Sequence, residues 1–204
     1  LSFERVFLLS PAYAGGERAR LLLSETAQFD LAVRLRRGHA QLGEVYAFVS
    51  GLYFRGKLAY AQTFASPPAG APGVLVITPG RGMLLPEMPL SLADFRALAE
   101  VPVDIAEPRY LAPLIEHARI LEEAGGPECR FVLLGSVAST KYVNPLLDIL
   151  GDRLLFPTDF TGRGDMSRGG LMLRCARAGI ELNYVPVRGA ARHGPRPPRL
   201  PKIR

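Results

Sequence analysis

The sequence predicts a three-layer α/β fold, with a mostly parallel sheet of about five to six strands and helices on both faces. Short runs rich in Val, Leu, Ile and Phe alternate with longer amphipathic runs, the rhythm of repeated strand–helix units. The short runs are apolar throughout instead of alternating, so both of their faces are buried, as in a parallel sheet. Most prolines and glycines fall at the breaks between runs, where turns and helix ends need them.

Taken in order, "RVFLL" (5–9) reads as the first strand, followed by two short helices over 16–24 and 28–37. The second of these ends in the basic turn "RLRR" before Gly38, a favourable helix C-terminus. Residues 44–64 carry Val45, Phe48, Val49, Leu52, Ala59, Tyr60 and Phe64 at helical spacing, with a break expected near Ser50-Gly51. "VLVIT" (74–78) is the second strand. Ser91 and Asp94 form a near capping box for a helix through Ala99. "VPVDI" (101–105) reads as a third strand, and Pro108 suits the first turn of a helix ending at Gly125-Gly126. "RFVLLG" (130–135), a helix over 139–150, "RLLF" (153–156), a helix over 168–178 and "ELNYVPV" (181–187) complete the set.

Residues 1–187 therefore form a single α/β domain, and 188–204 a basic, proline-rich flexible tail. The chain has 25 Lys and Arg against 19 Asp and Glu, a net charge of +6. The tail holds Arg188, Arg192, Arg196, Arg199, Lys202 and Arg204 and no acid, so the body is formally neutral. Proline spacing keeps such a tail from packing, which leaves its charge available to a polyanion. Cys129 and Cys175 lie in apolar runs without C-x-x-C spacing, and His39, His117 and His193 lack metal-ligand spacing. Neither a metal nor a cofactor is expected. No apolar run reaches membrane-spanning length and the apolar run before Ser10 is short for a signal peptide, so the expected location is cytoplasmic, with no membrane partner.

In open α/β sheets the ligand crevice lies beyond the carboxyl ends of the strands. Four segments there mix glycine or small hydroxyl residues with a cation: "SPAYAGGERAR", "TPGRGMLLPE", "GSVASTKY" and "PTDFTGRGDMSRGG". Backbone N–H groups at helix starts, close backbone approach at glycine and charge-assisted bonds from Arg or Lys together suit a phosphate or carboxylate. The candidate ligand-binding residues are Ser10, Tyr53, Lys57, Arg81, Gly135, Ser136, Ser139, Thr140, Gly162, Arg163, Gly164, Ser167 and Arg168. Asp165, Asp159 and Lys141 are the candidate catalytic residues, with Glu87 a further acid near the second loop. "GSVASTK" lacks the second glycine and the lysine order of a P-loop, so Ser139 or Thr140 serves equally as a helix cap. Tyr53 and Lys57 spell Y-x-x-x-K as in short-chain dehydrogenases, but only 52 residues precede Tyr53 and no G-x-G-x-x-G turn is among them. Four apart on a helix, the two still share a face.

"FLLSPA", "SGLYFRGKLAYA", "VLVITPGRGMLLPE", "VLLGS…KYVNPLL" and "LLFP…GRGDMSRGGLML" together resemble a little-characterised group of bacterial α/β proteins. That group is similar in turn to YaaA-like proteins and to accessory domains of archaeosine-type tRNA modification enzymes. The resemblance spans roughly residues 5–178 and implies a nucleic-acid or modified-nucleoside setting. This chain has Met83 where the group favours leucine, and it adds the basic tail.

Two functional readings follow. In the first, the protein binds a phosphate-bearing nucleotide, nucleoside or nucleic acid and acts on it, with phosphate at 135–141 and 161–170 and the rest near Ser10, Tyr53 and Arg81. In the second, it is a non-catalytic nucleic-acid-binding module that uses the tail.

Overall fold

The structure is a computed structural model and describes residues 3–191, 193–198 and 200; Arg192, Arg199, Lys202 and Arg204 of the expected basic tail lie outside the described residues. In chain order the elements are β1 (Arg5–Leu9), α1 (Glu17–Leu23), α2 (Asp30–Arg36), β2 (Ala40–Gln41), α3 (Leu42–Ser50), α4 (Leu52–Phe64), β3 (Val74–Thr78), β4 (Gly82–Leu84), β5 (Pro89–Leu90), α5 (Leu92–Ala99), α6 (Pro108–Gly125), β6 (Arg130–Leu134), α7 (Thr140–Leu150), β7 (Leu154–Pro157), α8 (Asp165–Ala178) and β8 (Tyr184–Pro186). Six strands form the main sheet in the order β4-β3-β1-β6-β7-β8, while β2 and β5 pair separately. The inner strands β3, β1, β6 and β7 are parallel, and the two edges, β4 and β8, run antiparallel.

Every residue of β1 from Val6 to Leu9 and of β6 from Phe131 to Leu134 is fully buried, because these central strands are covered on both faces. On one face α4 packs against α8, and on the other α6 packs against α7. This three-layer α/β architecture is the expected one. No helix among the described residues is long and apolar enough to cross a membrane.

The break inside 44–64 falls at Gly51, whose φ of 61° ends α3 and starts α4 in the left-handed region that favours glycine. The Ser91–Asp94 capping box is present, with Asp94 N–H donating to Ser91 Oγ at 3.1 Å and Ser91 N–H to Asp94 Oδ2 at 2.9 Å. Two of the helices contain an internal proline, Pro113 in α6 and Pro145 in α7. Pro145 has no N–H for the carbonyl of Lys141, and Tyr110 Oη donates to that oxygen instead at 3.2 Å.

Three expectations are corrected. Residues 101–105 form no strand: Pro102 cannot donate to a ladder, Asp104 and Ile105 are exposed, and the segment turns from α5 to α6 with Asp104 N–H donating to Pro102 O at 3.0 Å. The last strand shortens to Tyr184–Pro186 and joins the sheet antiparallel, beside β7. The last helix begins one turn early, at Asp165, so Arg168 lies within its first turn.

Candidate anion-binding site at the switch point of the sheet

The chain leaves β1 for β3 on one side and later returns past β1 to β6 on the other. The direction of winding thus reverses between β1 and β6, and at such a switch point the two post-strand loops part and open a crevice. Ser10 follows β1 and Gly135 follows β6. Glycine is needed at 135, because a Cβ there would lie 2.7 Å from Ser10 Cβ and 3.1 Å from Tyr142 Oη.

Two helices deliver side chains to this point. Gly56 of α4 and Gly169 of α8 cross backbone against backbone: a Cβ on Gly169 would lie 2.6 Å from Leu52 O, and one on Gly56 would lie 2.5 Å from Gly169 O. This contact carries Tyr53 and Lys57 to the start of α8. Lys57, 1% exposed, lies 2.7 Å from Ser10 O and 3.0 Å from Ser10 Oγ, under the rings of Tyr53 and Phe54 at 4.6 and 4.8 Å. Burial pushes its pKa down to about 7, against a smaller raising effect of the Asp165 carboxylate. Burial likewise raises the phenol pKa values of Tyr53 and Tyr142. Arg168 lies near enough to Tyr53 to affect its ionisation, yet among the described residues Tyr53 Oη has no partner at hydrogen-bonding geometry.

The loop after β6 closes on Tyr142, whose Oη accepts from Ser136 N–H and donates to Ser136 O, both at 3.0 Å. Ser139 is the N-cap residue of α7 but makes no capping bond; its hydroxyl approaches Tyr142 instead. Thr140 is exposed at the first position of the helix. The start of α8, capped only by the backbone of Gly164, likewise has no side-chain cap. First-turn N–H groups of both helices are thus left for an incoming acceptor.

The other expected residues separate into groups. Arg168 is no open guanidinium: its Nε and Nη2 donate to Phe160 O at 3.2 and 3.0 Å and its Nη1 to Asp165 Oδ1 at 3.4 Å. Arg163 donates to Ser167 Oγ at 3.3 Å, and its buried Nε has no partner among the described residues. Gly162, at φ 74°, makes the turn that lets Pro195 of the tail pass close by. Asp159 neighbours Cys175 further along α8. Lys141 is exposed and lines a separate hollow of 380 Å³ with Tyr13, Leu98, Val103 and Asp104. Arg81 does not join Ser10 and Tyr53: Gly80 and Gly82, at φ 80° and 62°, fold 78–82 into a β3–β4 hairpin, and Arg81 pairs with Asp94 at 2.5 Å. Glu87 is exposed between β4 and β5. Tyr142 and the Gly56–Gly169 crossing were missed; small residues on two helices hint at close approach, but sequence does not say which helices meet.

A hollow of 460 Å³ beside Arg5, Glu181 and Tyr184 is at the other end of β1. There Arg5 pairs with Glu181 at 2.9 Å and the Tyr60 and Tyr184 hydroxyls meet at 2.6 Å, a network that ties β8 to α4.

Comparison with known proteins finds no matching family model, no matching curated protein and no matching solved structure.

Proposed function

We propose that the chain binds a phosphate-bearing ligand, namely a nucleotide, nucleoside or nucleic acid, with the phosphate held between the starts of α7 and α8. The observation that carries this reading is the approach, at the switch point, of two helix starts without side-chain caps to Tyr53, whose buried Oη has no partner among the described residues, with Arg163 tied to the first turn of α8 through Ser167 Oγ. Inorganic phosphate, AMP, ATP and a short single-stranded oligonucleotide, tested by thermal shift and calorimetry, examine it directly. Binding by the wild-type chain with Kd weakened about tenfold in Arg163→Ala, roughly 1.4 kcal/mol, is the expected result. Absence of binding by all four compounds, or equal affinity in the variant, refutes the reading.

A second reading, nucleic-acid binding through the tail, is favoured by one observation. Arg196 of the tail lines a hollow of 390 Å³ together with Arg163, Arg174 and Ser167 of the α8 region. Truncation after Val187 is then expected to weaken oligonucleotide binding and to lower its salt slope by nearly one for each lost phosphate contact.

A further inference from the structure

We propose that Ser10 and Lys57 form a serine–lysine pair for acyl transfer, in which the Lys57 amine takes the Ser10 hydroxyl proton as Oγ attacks an uncharged ester carbonyl and Tyr53 Oη donates to the developing oxyanion. This goes beyond phosphate binding and does not depend on it: both use Tyr53 Oη, and a phosphate there would hold Lys57 protonated, so the two ligands exclude one another.

Lys57 Nζ donates to Ser10 O at 2.7 Å and to Ser10 Oγ at 3.0 Å. A neutral amine at this position keeps an N–H for Ser10 O and has its lone pair within reach of the Ser10 hydroxyl proton. Burial brings the amine to about 7, the range in which a base is free at neutral pH and still strong enough to take a proton. The ammonium formed by the transfer lies under the rings of Tyr53 and Phe54 and within the field of Asp165. Arg168 on α8 pairs with the same Asp165 carboxylate, and Tyr142 on α7, beside Ser10, stays a neutral phenol because burial raises its pKa.

Position supports the same assignment. Ser10 closes a central strand at the switch point. It keeps 5% of its surface and Tyr53 keeps 7%, against 1% for Lys57, and Tyr53 Oη is buried, so an acyl group reaches the pair only as these side chains shift. The next residue, Pro11, has no N–H, so the oxyanion donor cannot be the amide that follows the nucleophile. Tyr53 Oη is unpartnered among the described residues, and its raised pKa keeps it a donor. The electrophile is uncharged because an anion beside Lys57 would hold the amine protonated.

In the step, a bond forms between Oγ and the carbonyl carbon while the proton moves to Nζ. Collapse of the tetrahedral species breaks the bond to the leaving alcohol, which recovers that proton from Nζ. Water then attacks the acyl-serine by the same route, releasing the acid and restoring Ser10.

The probe is p-nitrophenyl acetate on the full chain, read by nitrophenolate release and by mass mapping of the acetyl group. Acetylation of Ser10 is expected, with a rate rising through a midpoint of about 7. Ser10→Ala and Lys57→Met should each lower that rate at least about 100-fold while keeping the circular dichroism of the parent. Lys57→Arg, which preserves charge and donors but cannot become neutral, should be equally inactive; where it does not fold, Lys57→Met decides. Acetyl on Lys57 in place of Ser10, no acetyl on either, or full reactivity in Lys57→Arg or Lys57→Met overturns the proposal.

Discussion

Lys57 sets packing against ionisation: its amine lies against the rings of Tyr53 and Phe54, removed from water. Its folded pKa of about 7 is below that of a free lysine, so the unfolded chain binds the extra proton between the two values. Stability contributed by this site is therefore absent below pH 7 and grows as pH rises toward the free value, with a slope of about 1.4 kcal/mol per unit. Thermal melts between about pH 7 and 8.5, below the range where the buried tyrosines and cysteines titrate strongly, should show a melting temperature rising in the wild type. Lys57→Met should flatten that rise; an equal slope in both chains would place the amine's titration elsewhere. Arg168 makes a second prediction at this scale. Its two bonds to Phe160 O hold the loop ahead of α8, and Arg168→Ala should cost about 2 to 3 kcal/mol in denaturant unfolding. Tyr53, Lys57, Ser10 and Gly135 could be singled out from sequence because i, i+4 spacing and post-strand position are local properties. The commitment of Arg168 to a carbonyl could not.

Among the elements, the crossing of α4 and α8 controls the site. Glycine costs a helix about 1 kcal/mol relative to alanine, so Gly56 and Gly169 are tolerated only because two backbones touch there. Gly169→Ala places a Cβ 2.8 Å from Tyr53 Cα, and backbone cannot yield as a side chain can. It should destabilise the protein by about 2 kcal/mol or more and loosen Tyr53 and Lys57 together. Its neighbour is the control: a Cβ on Gly170 finds Leu200 Cδ1 at 3.8 Å, ordinary contact, so Gly170→Ala should be neutral or stabilising by up to about 1 kcal/mol. Urea unfolding of the pair checks both signs. The two glycines are adjacent in sequence and read alike; only the partner helix distinguishes them. The same holds for Pro145, whose missing N–H is compensated by Tyr110 from a different helix.

For the molecule as a whole, one contiguous core runs from Val6 to Val187 and draws on both faces of the sheet. Val187 is fully buried and its N–H donates to Leu154 O at 2.9 Å, whereas the described residues after it lie on the surface, held through the exposed Arg188–Asp152 pair, the 3.3 Å bond from Thr161 Oγ1 to Ala191 O and the approach of Pro195 to Gly162. A chain ending at Val187 should therefore unfold in a single transition, coincident in near- and far-ultraviolet dichroism, with a midpoint within a few degrees of the full chain. Separate transitions, or loss of folding, would show that the segment after Val187 belongs to the core.

By itself the sequence determined the helices and most strands of the main sheet, where most of them stop, and that the sheet is mostly parallel, but not the short strands β2, β4 and β5, since apolar periodicity, capping residues and turn glycines act over a few neighbouring positions. Only the tertiary structure decided that 101–105 is a connection, that Arg81 belongs to a hairpin and Arg168 to a carbonyl, and that Ser10, Lys57, Tyr53, Gly135 and Tyr142 share one point. Strand order and helix crossing depend on contacts between segments far apart in the chain, and no local pattern encodes which segments will meet.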